Sequence, residues 1–195
     1  MKDPHDSLTT GRLALRRFTP DDLPLLVRMN ADPEVTRYTG GPMDRAATEE
    51  MLRERILEYY DKHPGLGVWA TIERASGACV GMHLLNHILG EPDIQVGYML
   101  LREHWGRGFA TEMCAALLHY GFVAVGLPRI VAITNLDNFA SQRVLEKAGL
   151  RRAGERSLPH PKYAASGPLA WFERDAAAWL AIARPASASP AAQSP

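Results

Sequence analysis

The chain reads as a mixed α/β fold of the α+β kind, and three features of its 195 residues carry that reading. Short segments alternate apolar residues with period two, as in Ile94-Gln-Val-Gly-Tyr-Met-Leu100, where Ile94, Val96, Tyr98 and Leu100 share one face of a strand. Between them lie longer stretches with helical period, as after Gly108, where Met113, Leu117 and Tyr120 fall on one face. Twice a strand pattern passes directly into a helix pattern through a turn, once rich in glycine near 102–108 and once containing asparagine near 134–138.

Element by element, β-type alternation starts near Arg12 to Phe18, and Thr19-Pro-Asp-Asp opens a helix with Leu23, Leu26 and Val27 inward. Pro24 fits only a first turn, which makes Asp22 the cap. A second helix is expected over 44–63, with Leu52, Ile56 and Tyr59 as its apolar stripe, stopped by Pro64-Gly-Leu-Gly67. Strands follow near 68–73, 79–89 and 93–101, the first two joined at Ala75-Ser-Gly77. Ile130 to Ile133 is a short buried-strand run, and Ala140, Val144, Leu145 and Ala148 mark the face of the next helix. Gly149 fits the residue just past that helix, with Leu150 folding back on its last turn. Two more strands and a closing helix over 175–183 complete a single expected domain, 1–184. The Ala/Ser/Pro tail, 185–195, has little to bury and is expected to be disordered.

Composition narrows the classes. With 46% apolar residues the chain can bury a sizeable core, and with zero formal net charge it carries no electrostatic footprint for nucleic acid. No apolar run approaches the ~18 residues of a membrane span, and the first residues have no signal-peptide core, so a cytoplasmic location is the expectation. Cys79 and Cys114 have no metal-ligand spacing and suit reduced thiols, and no metal site is expected.

The segment Arg102-Glu-His-Trp-Gly-Arg-Gly-Phe-Ala110 lies between a strand and a helix. Gly106 and Gly108 allow close backbone approach, and the helix that follows points its uncapped N–H groups at the same place, which suits a phosphate. A dinucleotide turn needs a third glycine where Thr111 stands and an acid near Val131, and the chain has no Gly-Lys-Ser or Gly-Lys-Thr for a Walker loop. The bland alternative is a plain tight turn. A second motif, Thr134-Asn-Leu-Asp-Asn-Phe-Ala-Ser-Gln-Arg-Val-Leu-Glu-Lys-Ala-Gly-Leu150, places Asn138 at the start of a helix, either as its cap or as a ligand group.

Together, Trp105-Gly-Arg-Gly-Phe-Ala110 and Thr134 to Leu150 resemble the acetyl-CoA-binding core of the GNAT superfamily of N-acetyltransferases. Leu13 to Pro20, Asp32 to Tyr38, Val96 to Leu101 and Leu169 to Glu173 extend the likeness over nearly the whole chain, and it is greatest to the RimJ/RimL-like branch, which acetylates protein N-terminal α-amines. The resemblance implies a central, mostly antiparallel sheet of about seven strands with helices on both faces. It implies acetyl-CoA as co-substrate, an amine acceptor, and the homodimerisation common in the family. It implies that Met99 and Leu100 meet the pantetheine arm through their backbone. Trp105, Gly106, Arg107, Gly108, Phe109, Ala110 and Thr111 would form the pyrophosphate loop, with Arg107 either on a phosphate or simply solvated. Asn138 would hold the pantetheine amide, and Ser141, one turn on, would hydrogen-bond the departing thiolate unless it only satisfies its own backbone.

Many relatives carry glutamate two residues before the glycine of the Val96-Gly-Tyr98 strand, where this chain has Gln95. An amide takes no proton at neutral pH, so the expected base is Asp93, with Glu91, His83 and His87 as alternatives. Freeing a lysine-type amine at pH 7 costs roughly 4.6 kcal/mol and an α-amine only roughly 1.1, so a weak base favours α-amine acceptors. Acceptor contacts are expected from Thr36 to Gly40, from the second helix and from the loop Ser157 to Gly167. A small-molecule amine acceptor and a non-catalytic CoA-binding module are the competing readings.

Overall fold

In the computed structural model, which describes residues 8–183, seven strands form one sheet. They are β1 (Leu13–Arg17), β2 (Gly67–Glu73), β3 (Cys79–His87), β4 (Ile94–Leu100), β5 (Arg129–Asn135), β6 (Arg151–Arg156) and β7 (Leu169–Asp175). Their spatial order is β1-β2-β3-β4-β5-β7-β6. Every neighbouring pair is antiparallel except β4 and β5, which run parallel and share the single register pair Gln95 with Val131. A parallel step cannot be closed by a hairpin. Here the crossover is α5 (Phe109–Tyr120), continued by a π turn at Gly121–Val125. The tail expected to be disordered lies outside the described residues.

Strand alternation divides the core in two. Trp69, Leu85, Val96 and Leu100 pack with Met113 and Leu117 of α5 and with Leu145 of α6 (Phe139–Ala148). Val68, Ala70, Met99 and Leu101 turn to the other face, against Leu26 and Met29 of α1 (Leu23–Ala31) and Leu52 and Ile56 of the next helical hairpin. Asp22 caps α1 positionally, as Pro24 required, and a bidentate Arg16 pair at 2.7 Å holds its carboxylate well below the usual range. A short α2 (Pro33–Thr36), capped by Asp32, was not legible in the periodicity.

Two packing expectations need correction. The second helix is α3 (Arg45–Met51), a π turn (Leu52–Leu57) and α4 (Glu58–Lys62). The wider turn shifts the stripe by one residue, so Tyr60 enters the core and Tyr59 turns to His87, its hydroxyl 2.6 Å from Nδ1. On α6, Ala140 is exposed, and Gln142 is buried instead, its amide donating to the Leu136 carbonyl at 2.8 Å. Gly149 ends α6 as expected: its N–H bonds Glu146 and that of Leu150 bonds Leu145.

The β3–β4 pair tolerates no side chain at Gly81. A Cβ there would lie 2.3 Å from the Met99 carbonyl oxygen, and its φ of +147° disfavours an L-residue. Gly81→Ala is therefore expected to cost about 2–4 kcal/mol of stability, read as a lower urea midpoint. An unchanged midpoint would contradict this packing.

Candidate active site

β4 and β5 touch at Gln95 and Val131 and then part, and a cavity of about 200 Å³ opens between their C-terminal ends. Gly97 and Tyr98 form one wall, Ile133, Thr134 and Asn135 the other, and Asn138 and Ser141 of α6 stand over it. The register with β3 decides which main-chain groups of β4 reach the gap. Leu101 donates to Val80 and Ile88 donates to Asp93, with unbroken pairing between them, so residues 95, 97 and 99 face β3. Tyr98 and Leu100 direct their N–H groups toward the gap. Met99, expected to meet the pantetheine arm through its backbone, instead pairs with Met82, and Tyr98 and Leu100 are the residues whose main chain faces the gap.

The loop after β4 is built as a cradle. Gly106 and Gly108 have φ of +73° and +78°, and nothing lies within 4 Å of a Cβ placed on Gly106. The first helical bond of α5 runs from the Glu112 N–H to the Gly108 carbonyl at 3.1 Å. The N–H groups of Phe109, Ala110 and Thr111 therefore precede the ladder and remain for an anion. Trp105, half-exposed, donates its Nε1–H to the Leu100 carbonyl at 2.8 Å and so closes the end of β4.

Arg107 is exposed, and its guanidinium is engaged by the protein itself. Its guanidinium pairs with Glu73 and lies 4.4 Å over the Phe109 ring. Arg12 packs on the same ring at 4.9 Å, donates to the Arg107 carbonyl at 2.9 Å and is held by Glu112 at 2.6 Å. Phe109 is fully buried, so it serves the loop through its backbone. The Arg12–Glu112 brace had no sequence signal, because its partners are 100 residues apart.

Asn138 is the cap of α6 and stands over the cavity. Its Oδ1 accepts from the Ser141 N–H at 3.1 Å, which caps α6 and leaves the amide Nδ2 for a ligand. Ser141 and Tyr98 both line the cavity, and burial pushes the Tyr98 phenol up to about 12, so it stays a neutral donor.

Asp93 is placed otherwise than expected. Its carboxylate is 2.6 Å from Arg129 and does not line the cavity, so it ties the start of β4 to β5. Gln95 does line it, with its Nε2 at 3.4 Å from Asn86 Oδ1. His83 and His87 do not converge: His83 is fully buried on Thr71, Oγ1 to Nδ1 2.7 Å, and burial lowers its pKa to about 3. His87 rests on Tyr59, its pKa lowered by burial and by nearby His63. Among the described residues no group of three His, Cys, Asp or Glu side chains could hold a metal ion. Burial raises the pKa of both thiols, Cys79 and Cys114, which keeps them protonated.

Three acceptor segments expected from the sequence do converge. Tyr38, Thr39 and Gly40 line the cavity, as do Lys162, Tyr163 and Ser166 from the β6–β7 loop. A second cavity of about 460 Å³ adjoins it against α3, α4 and the π turn between them.

A gap between parallel strands, leading to a glycine cradle at a helix N-terminus, fits a thioester on a long pantetheine arm ending in a pyrophosphate. That defines an acyl-CoA-dependent transferase. Residues 12–151 match the family described as Acetyltransferase (GNAT) domain, and the chain belongs to that family. Its members use acetyl-CoA to acetylate amines, and the chain is an N-acetyltransferase. It is 33% identical over 150 residues to "Uncharacterized N-acetyltransferase YoaA" of Bacillus subtilis (strain 168), covering 75% of this chain and 84% of the relative. The crystal structure of an acetyltransferase from Agrobacterium tumefaciens str. C58 superposes with a TM-score of 0.72 at 26% identity, over 85% of this chain and 92% of that one. Aminoglycoside acetyltransferase AAC(6')-Ib in complex with coenzyme A shares the fold, with a TM-score of 0.72 at 18% identity, over 88% of this chain and 99% of that one. No helix among the described residues is long and apolar enough to cross a membrane.

Two outcomes follow from the buried and paired groups. His83 has a folded pKa of about 3, below the usual 6.5, so its contribution to stability is full above pH 6.5 and is lost as pH falls toward 3. The slope approaches about 1.4 kcal/mol per pH unit, and His83→Gln should flatten acid unfolding by one proton; an identical slope would refute the buried neutral imidazole. Asp93→Asn should cost about 0.5–1 kcal/mol of stability and leave the pH profile of kcat/KM in place. Loss of a limb of that profile would restore Asp93 as the base.

Proposed function

We propose that this chain transfers the acetyl group directly from acetyl-CoA to a peptide or protein N-terminal α-amine, as in the RimJ/RimL-like branch. The observation that carries this reading is the lining of the smaller cavity, which contains Gln95, Tyr98, Asn138, Ser141 and Lys162 but, among the described residues, no carboxylate. Without a strong base beside the reacting atoms, the acceptor must lose its proton cheaply, and an α-amine does so far more readily than a lysine side chain.

The roles follow from position. The Leu100 and Tyr98 N–H groups, turned to the gap, align the pantetheine arm and meet charge developing on the thioester oxygen. Asn138 Nδ2 fixes the arm, and Gly106 to Thr111 take the pyrophosphate. Gln95 orients the neutral amine, or a water that carries off its proton, through its amide oxygen. The amine nitrogen attacks the carbonyl carbon, the C–S bond breaks, and the Ser141 hydroxyl hydrogen-bonds the departing thiolate. Both thiols of the chain being protonated supports direct transfer without an acyl-enzyme.

Thiol release from acetyl-CoA should be followed with N-terminal peptides, lysine-side-chain peptides and small amines across pH. Peptide α-amines should be preferred at pH 7 by about 340-fold over lysine side chains, the ratio of their deprotonated fractions, with rates rising to the amine's own pKa. Gln95→Glu should move that limb to lower pH and raise turnover of lysine amines by about 10-fold or more. Activity confined to one small amine would replace the α-amine reading with that of a metabolite or drug acetyltransferase.

A further inference from the structure

The larger cavity, about 460 Å³, joins the smaller one through Leu84, Gln95, Lys162 and Tyr163. Its floor is apolar, formed chiefly by Met51, Ile56, Met82, Leu84 and Ile88. Its charged lining residues are Glu54, Arg55, Glu91 and Lys162. Glu54 is occupied by Arg53 at 2.8 Å, whereas among the described residues neither Arg55 nor Lys162 is in an ion pair. The side chain of Lys162 is exposed by surface area, but crowding around its ammonium lowers its pKa, and Arg55 is the charge that adds to that effect. Arg55 also lowers the Tyr163 phenol against the upward push of burial. Arg55 and Lys162 thus line one cavity, and neither is paired with an acid among the described residues. Such an arrangement is unfavourable in the free protein and is relieved by an anionic ligand group.

We propose that the acceptor lies in this cavity with its amine at Gln95, a large apolar side chain on the floor, and an anionic group between Arg55 and Lys162. This rests on the α-amine reading above and deepens it. The substrate class is a peptide whose first residue is large and apolar and is followed by an acidic residue. The apolar floor selects the first side chain, because a small polar one leaves that surface wet. Arg55 and Lys162 select the second by charge, which also speeds encounter at low salt. Glu91, at the β3–β4 turn, is the remaining acid of the lining and forms no ion pair with Arg55 or Lys162 among the described residues.

The test compares kcat/KM of the full chain with acetyl-CoA for tetrapeptides beginning Leu-Glu, Leu-Ala, Leu-Lys and Ser-Glu. Leu-Glu should exceed both Leu-Lys and Ser-Glu by about 10-fold or more, and the gap to Leu-Lys should shrink with added salt. R55Q and K162Q should each lower the Leu-Glu to Leu-Ala ratio by about 10-fold, and R55E should turn the preference toward Leu-Lys. Each variant's turnover of Leu-Ala reports that it remains folded. Equal kcat/KM for Leu-Glu and Leu-Lys, or a ratio unmoved by R55Q, overturns the proposal. If no peptide is acetylated, the α-amine reading fails on its own, and the same comparison is made with apolar primary amines bearing or lacking a distal carboxylate. A carboxylate preference lost in R55Q would then uphold the anionic seat, and its absence would overturn it.

Discussion

Everything at this site depends on β4 and β5 running parallel and meeting at one register pair, Gln95 with Val131. Two neighbouring strands that diverge leave main-chain donors and acceptors facing each other across a space too wide for a hydrogen bond. Buried polar groups are not left that way, so such a gap is filled by water or by a ligand with amides of its own. A pantetheine arm is such a group, and in the proposed function it runs in the gap as a strand would. The same parallel step forces a crossover helix, and that crossover, α5, presents its N-terminus at the mouth of the gap.

The surrounding packing keeps the gap open and its ends fixed. On one side β4 is held in continuous antiparallel register to β3, through the close approach at Gly81. At the far end the Trp105 indole caps the Leu100 carbonyl, and Arg12, Arg107 and Phe109 stack to hold the loop shape. At the near end the Asp93–Arg129 pair ties β4 to β5 where they begin to part. Arg129 also reaches Glu173 on β7 at 4.0 Å, so the parting is anchored to the second half of the sheet. The charged groups nearest the loop are thus engaged with one another, and its backbone is what the loop leaves for a ligand.

Local features of this arrangement were legible in the sequence, and long-range ones were not. Alternation at Ile94 to Leu100, the glycines at 106 and 108, the cap at Asn138 and the stop at Gly149 depend on residues a turn or a strand apart, and they sit where patterning put them. The seven-strand sheet followed from the family resemblance and agrees with the structure, and Tyr38, Lys162 and Tyr163, from two of the segments expected to meet the acceptor, line one cavity. The pairing that draws Asp93 away from the cavity was not legible, because its partner, Arg129, is 36 residues away. Met99 yielded to Tyr98 because alternation alone does not say which edge of a strand is already paired. Tyr59 and Tyr60 exchanged places because a π turn breaks the 3.6-residue period without marking the sequence.

The central claim is that the open edge of β4, beyond Gln95, is completed by the cofactor arm. Amide hydrogen exchange of the full chain, residue by residue and with and without coenzyme A, tests it most directly. The account predicts that Tyr98, Leu100 and the amides from Gly106 to Thr111 gain protection on binding, while Met99, already bonded to β3, is protected in both states. Unchanged exchange at Tyr98 and Leu100 under saturating coenzyme A would contradict it.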